Sequence, residues 1–197
     1  MPVALLSLLL AAFPSPKQNI AITKDGHPVC GAVMLSENIV LTAAHCVDGE
    51  EYAEVRCGSN DMPARVVKAS MDEDLAVLRF ILPCDASRGF GSAAHTVLAF
   101  SDPPIGSQVH AIGYPGGNAR LSRGIVSGYE VSELQMEQLI FGKHPVIISD
   151  TKIYYGNSGG GLFNPNNELV GIASQLDGAG YGYWIPVSSI HAFLDGI

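Results

Sequence analysis

The chain has 197 residues, 47% of them hydrophobic and 15% charged, which is long and apolar enough to bury one large core or two packed halves and excludes an intrinsically disordered protein. Eleven Lys and Arg against 19 Asp and Glu give a net charge of -8. No basic run is present, so nucleic acid and anionic membrane are excluded as expected partners. The 22 glycines and 12 prolines favour short strands joined by tight turns over long helices.

The N-terminal run from Val3 to Phe13 is apolar, long enough for a signal-peptide core and too short to span a bilayer. Residues 1–18 are therefore read as a signal or leader segment, against a first apolar strand or an excised polyprotein segment. No stable membrane insertion is expected. Apolar, β-branched runs then recur at 19–23, 27–35, 38–43, 52–57, 64–70 and 75–82, separated by Asp25-Gly26, Ser36-Glu37-Asn38 and Gly58-Ser59-Asn60, where Gly or Asn tolerates positive φ. From Asp85 the composition shifts to Ser, Ala, Gly and Pro, ending in Ser101-Asp102-Pro103-Pro104, so 91–106 reads as a linker. Six further strands are expected near 107–114, 120–131, 136–149, 161–165, 168–176 and 180–187. The pattern predicts an all-β protein of two six-stranded antiparallel barrels, over 19–90 and 107–187. In 188–197, Ile190, Phe193, Leu194 and Ile197 follow helical spacing after Ser188 or Ser189 as N-cap, which predicts a short C-terminal helix.

Ser158 stands in Gly156-Asn157-Ser158-Gly159-Gly160-Gly161, which suits either a flexible turn or a nucleophile. A serine hydroxyl attacks only when a histidine takes its proton and a carboxylate orients that histidine. His45 follows a β-branched run, and Asp74 opens another, so both sit at strand ends where side chains converge. Asp72 is the rival carboxylate but belongs to a more polar turn. An α/β-hydrolase order of Ser158, Asp177 and His191 fails on architecture, because a glycine-rich hairpin and not a helix follows Ser158. His27, His95, His110, His144 and His191 have no comparable setting. None of the four cysteines has zinc-site spacing, and no metal or cofactor is expected.

The blocks Leu41-Thr42-Ala43-Ala44-His45-Cys46, Asp74-Leu75-Ala76-Val77-Leu78 and Gly156 to Gly160 resemble, in order, the three motif blocks of trypsin-like (chymotrypsin-fold) serine proteases. Further segments at 109–117, 122–130, 149–174 and 180–186 are similar to the protease domain of the HtrA/Deg branch, so the resemblance spans about 19–194. It implies a serine endopeptidase acting on polypeptide through an acyl-enzyme. His45 would be general base and acid, Asp74 its orienting carboxylate and Ser158 the nucleophile, with the amides of Gly156 and Ser158 forming an oxyanion hole. It implies that Ser174 lies near the triad carboxylate and that Ser174, Gln175 and Leu176 pair with extended substrate, with Lys152, Tyr181 and Tyr183 around the primary specificity pocket.

The same resemblance implies a disulfide between Cys30 and Cys46 and leaves Cys57 and Cys84 as the remaining pair. A reducing compartment would leave all four as thiols, whereas the even count favours a secreted or extracytoplasmic protein over an intracellular or viral polyprotein-derived one. Asn157 departs from the digestive enzymes, which have an aspartate there to pair with a freed N-terminus. An amide cannot form that ion pair, so another activation route is expected. With the chain ending at its helix, neither the PDZ-dependent functions nor the trimer of full HtrA proteins is implied. A catalytically silent peptide-binding module of the same fold is the competing reading.

Overall fold

The computed structural model describes residues 19–84, 95–136, 139–177 and 179–197. The segment read as a leader and part of the segment read as a linker lie outside them. Twelve strands form two closed barrels with the same winding. The first contains β1 (Asn19–Lys24), β2 (His27–Met34), β3 (Ile39–Thr42), β4 (Tyr52–Cys57), β5 (Asn60–Ser70) and β6 (Leu75–Phe80), in the order β1-β2-β3-β6-β5-β4. The second contains β7 (Gln108–Gly113), β8 (Arg120–Met136), β9 (Leu139–Ser149), β10 (Gly161–Phe163), β11 (Leu169–Leu176) and β12 (Gly182–Pro186), in the order β7-β8-β9-β12-β11-β10. Closure gives every strand a neighbour on each side over at least part of its length, so neither sheet ends in a fully open edge strand.

Local chemistry accounts for the turns. Lys24 pairs with His27 across Asp25 and Gly26, both at positive φ (51° and 75°), the geometry of a two-residue hairpin that Asp-Gly favours. Cys57 pairs with Asn60 across Gly58 and Ser59, so β5 starts four residues earlier than the expected strand at 64. Pro63 takes a place in the ladder, and its carbonyl accepts the Ile81 amide. β8 runs five residues past the predicted end at 131, because it zips with β9 into a long hairpin.

Each barrel has its own core, and a third cluster joins them. Ile20, Met34, Val55 and Leu78 fill the first barrel, while Ala111, Leu162, Val170 and Trp184 fill the second. Val33, Leu41, Leu75 and Val77 of the first barrel pack against Ile112, Phe163 and Ile172 of the second. Burying a side chain of this size stabilises by about 1.5–3 kcal/mol, so this seam fixes how the barrels sit. Both predicted disulfides form, Cys30–Cys46 and Cys57–Cys84.

Helix α1 (Val187–Leu194) is as short as expected, with two differences. Its N-cap is Pro186, not Ser188 or Ser189, and the Ser188 amide and hydroxyl instead both donate to the Asp102 carboxylate at 3.0 and 2.7 Å. A carboxylate from the connecting segment therefore neutralises the start of the helix. Ile197 lies past the helix and is exposed, whereas Val187, Ile190 and Phe193 form the buried face.

Candidate active site

β3 and β6 are neighbours, with Thr42 opposite Ala76. The chain continues from Thr42 into a single 3₁₀ turn (Ala44–Cys46) that carries His45, while Asp74 stands one residue before β6. That register brings two residues 29 apart in sequence side by side. Asp74 adopts φ 50°, a left-handed conformation that Asp tolerates better than most residues, and its side chain is fully buried. His45 Nδ1 lies 2.8 Å from Oδ1 and 3.0 Å from Oδ2 of Asp74, and the His45 amide donates to Oδ1 at 3.1 Å. Asp72 is exposed in the preceding turn.

The second barrel completes the carboxylate's environment. Ser174 is fully buried and its hydroxyl donates to Oδ2 of Asp74. The position depends on a β-bulge: Ala173 pairs with Trp184 and Gln175 with Tyr183, so Ser174 is the extra residue whose side chain is turned across to the other barrel. A buried carboxylate with these donors satisfies the requirement that a charge leaving water be hydrogen-bonded.

Ser158 is set by both barrels. Its carbonyl accepts the Gly31 amide of β2 at 2.7 Å, and its hydroxyl donates to the Ser174 carbonyl at 3.3 Å. The neighbouring glycines answer to close contacts and not to turn flexibility. At Gly159, with φ 78°, an added Cβ would stand 2.1 Å from Thr42 Oγ1 and 2.3 Å from the Gly31 carbonyl oxygen. At Gly156, with φ 95°, it would stand 2.6 Å from the Tyr114 carbonyl oxygen. The protein's own backbone thus leaves no room for a side chain at either position. The amides of Gly156 and Ser158 form no hydrogen bond among the described residues.

The other predicted residues divide into two places. Gln175 and Leu176 pair with Tyr183 and Gly182 across β11 and β12, and Tyr181 precedes β12 with its carbonyl accepting the Asp177 amide. β10 pairs with β11 only as far as Gly161 opposite Ile172, so the edge of residues 174–176 continues past the end of that strand. The Tyr183 phenol is held above its ordinary range by desolvation, with Glu130 and Asp177 adding negative charge, and stays neutral. Lys152 is exposed and lines a cavity with Arg120, Arg123, Tyr154 and Asn157, whose lining includes none of residues 174–183. The two arginines carried no signal beyond their spacing in Arg120-Leu121-Ser122-Arg123, and the cavity arises only when β8 folds against the 152–157 loop.

The remaining candidates are structural. Asp177 caps its own turn through the Ala179 and Tyr181 amides, and His191 bonds the Ala99 carbonyl at 2.9 Å. His110 is buried and stacked on Phe163. Cys30, Cys46 and His45 offer three ligand-type atoms within 4.8 Å of one another, but the two sulfurs are bonded to each other.

Residues 30–172 match the family described as the trypsin-like peptidase domain. The chain is 31% identical over 172 residues to Protease Do-like 2, chloroplastic, of Arabidopsis thaliana, which covers 83% of this chain and 27% of that protein. It is 32% identical over 157 residues to a probable periplasmic serine endoprotease DegP-like of Halomonas elongata, covering 78% of this chain and 30% of that protein. The chain thus spans roughly a third or less of the length of these two relatives. Among solved structures it is similar to Rv3671c of M. tuberculosis H37Rv in an inactive form, with a TM-score of 0.77, 19% identity and coverage of 98% of this chain and 93% of that one. It is also similar to the HtrA-type protease AlgW with tripeptide, with a TM-score of 0.74, 24% identity and coverage of 92% and 60%.

Proposed function

The chain belongs to the trypsin-like peptidase domain family, and from that premise we propose that it is a serine endopeptidase cutting polypeptides through an acyl-enzyme at Ser158. The observation that carries the reading is that His45 of one barrel and Ser174 of the other both hydrogen-bond the buried Asp74 carboxylate, while the Ser158 hydroxyl bonds the Ser174 carbonyl. Asp74, hydrogen-bonded to Nδ1, fixes the imidazole tautomer so that Nε2 is the nitrogen that takes the Ser158 proton and later returns it to the leaving amine. The Ser158 hydroxyl gives up its 3.3 Å bond to the Ser174 carbonyl when it turns to attack. As the scissile carbonyl becomes tetrahedral, its oxygen is met by the amides of Gly156 and Ser158, held in place by the close approach of Gly156 to Tyr114.

Substrate adds as a strand to the edge of residues 174–176, with Leu176, Tyr181 and Tyr183 forming a shallow apolar wall for its side chains. Lys152 faces a different cavity, which favours apolar over acidic residues at the cleaved bond. Two disulfides, and relatives named as periplasmic or chloroplastic, support an extracytoplasmic or organellar setting. The test is covalent modification of Ser158 by a fluorophosphonate and its dependence on His45.

A further inference from the structure

The disulfide beside His45 holds the makings of a metal site. Cys30, Cys46 and His45 each bring one ligand-type atom to within 4.8 Å of the others. Zinc bonds of about 2.3 Å to sulfur and about 2.0–2.1 Å to nitrogen set the corners of one tetrahedron roughly 3.5 Å apart, so opening the sulfur–sulfur bond leaves all three atoms close to where an ion needs them. Two thiolates and an imidazole suit Zn²⁺, whereas Mg²⁺ and Ca²⁺ take oxygen. Local spacing hides the set, because Cys30 lies 16 residues before Cys46 and only the fold returns it to the His45 turn.

The backbone holds both sulfur positions independently of the bond between them. Cys30 pairs with Ile22 of β1, the Gly31 amide donates to the Ser158 carbonyl at 2.7 Å, and the Gly31 carbonyl accepts the Thr42 hydroxyl at 2.8 Å. Opposite, the His45 amide donates to Asp74 and the Cys46 amide to the Ala43 carbonyl. The support that a metal-bound imidazole needs is also present: Nδ1 of His45 lies 2.8 Å from the buried Asp74 carboxylate, a pairing that orients the ring and makes Nε2 the stronger ligand. Cys46 is half-buried, whereas Cys57 and Cys84 are fully buried, so a reductant reaches the bond at His45 first.

We propose that the reduced chain binds one Zn²⁺ through Cys30, Cys46 and Nε2 of His45, and that the ion withholds His45 from Ser158. Exchange with a dithiol breaks the Sγ–Sγ bond, passes two electrons to the protein sulfurs and closes the dithiol into its own disulfide; Zn²⁺ then displaces the two thiol protons. Exchange with a small-molecule disulfide runs the step backwards, restoring Cys30–Cys46 and releasing the ion. The amide of Asn157 cannot pair with a freed N-terminus, and oxidation with loss of zinc is an activation route that needs none. The binding claim stands on the geometry of the three residues, while the block on turnover rests on the proteolytic reading.

Two measurements separate them. In the first, the full chain carrying Ser158→Ala is reduced with a dithiol, desalted without oxygen and titrated with Co²⁺ as a coloured stand-in for Zn²⁺, with circular dichroism reporting the fold. One ion per chain binds, with the visible bands of a tetrahedral site and the near-ultraviolet band of thiolate ligation, and Zn²⁺ displaces it. Cys46→Ala or His45→Gln each weakens binding about a hundredfold and Asp74→Asn about tenfold, while His27→Gln on the surface leaves it unchanged. Cys30→Ala, which leaves the His45 turn untouched, matches Cys46→Ala. An unchanged spectrum in His45→Gln, equal binding by the oxidised chain, a spectrum lost with Cys84→Ala but kept with Cys46→Ala, or loss of the fold on reduction overturns the site.

In the second, Zn²⁺ slows fluorophosphonate labelling of the reduced wild-type chain about a hundredfold, the loss expected when a general base is withheld, and a chelator restores it. The oxidised chain responds to neither. Binding without any change in labelling rate overturns the block on His45. A chain that is not labelled even when oxidised sinks the proteolytic reading and the block together, while the Co²⁺ spectrum still decides the site.

Discussion

Ser174→Ala isolates one hydrogen bond at the junction of the two barrels. The substitution removes the hydroxyl that donates to Asp74 Oδ2 but keeps the backbone carbonyl that accepts from Ser158. Asp74 is fully buried, so the loss cannot be made good by bulk water, and a hydrogen bond to a charged group contributes about 1.5–3 kcal/mol. Three contacts from His45 remain on the carboxylate, two from Nδ1 and one from the amide. The imidazole therefore keeps its tautomer and orientation. The expected result is a stability loss of about 2 kcal/mol, or about 4–8 °C in Tm for a chain of this size, measured in a Ser158→Ala background that cannot digest itself. In the active background kcat falls about tenfold with KM nearly unchanged, because the backbone that pairs with substrate is untouched. Asp74→Asn should instead lower kcat by about 10⁴, through the wrong tautomer. A Ser174→Ala protein as inactive as Asp74→Asn, or one equal to wild type in both stability and turnover, would refute this division of labour.

Gly159→Ala should destabilise by about 3 kcal/mol or more in urea unfolding, since its Cβ would enter Thr42 and the Gly31 carbonyl, whereas Gly180→Ala, at φ 95° with nothing within 4 Å, should cost only about 1–2 kcal/mol. Equal costs would mean that backbone conformation and not contact explains the glycine. The second expectation concerns acid: burial, with the Arg123 charge adding to it, pushes the His110 imidazole down from 6.5 to about 4. Above pH 6.5 the ring is neutral folded or unfolded and has no effect; between 6.5 and about 4 only the unfolded chain takes the proton, so stability falls on the order of 3 kcal/mol across that window and levels off below it. His110→Phe keeps a ring against Phe163 and should flatten that part of the pH profile of Tm; an unchanged profile would show that another group is responsible.

Much of this architecture is legible in the chain. Alternation and turn residues place all twelve strands to within a few residues, since Asp25-Gly26 permits a tight hairpin and the β-branched runs permit little else. Errors arise where distant contacts decide the outcome. Helix α1 is capped by Asp102, 86 residues away from Ser188, which no local rule at Ser188 or Ser189 reveals. β5 passes through Pro63 because its missing N–H is not needed at that point of the ladder. At the site, the motif resemblance proposes His45, Asp74 and Ser158, but not how they are held. That Ser174 reaches Asp74 through a bulge, that Gly159 fits between Thr42 and Gly31, and that Arg120 and Arg123 face Lys152 across a cavity are products of tertiary packing.

Everything proposed for catalysis depends on Ser158 being a nucleophile activated by His45 and Asp74. Incubating the purified chain with a fluorophosphonate and locating the adduct by peptide mass spectrometry tests it most directly. One adduct per chain is expected, on Ser158, abolished by His45→Ala and strongly slowed by Asp74→Asn. A folded protein that remains unlabelled, or one labelled equally well without His45, would contradict it.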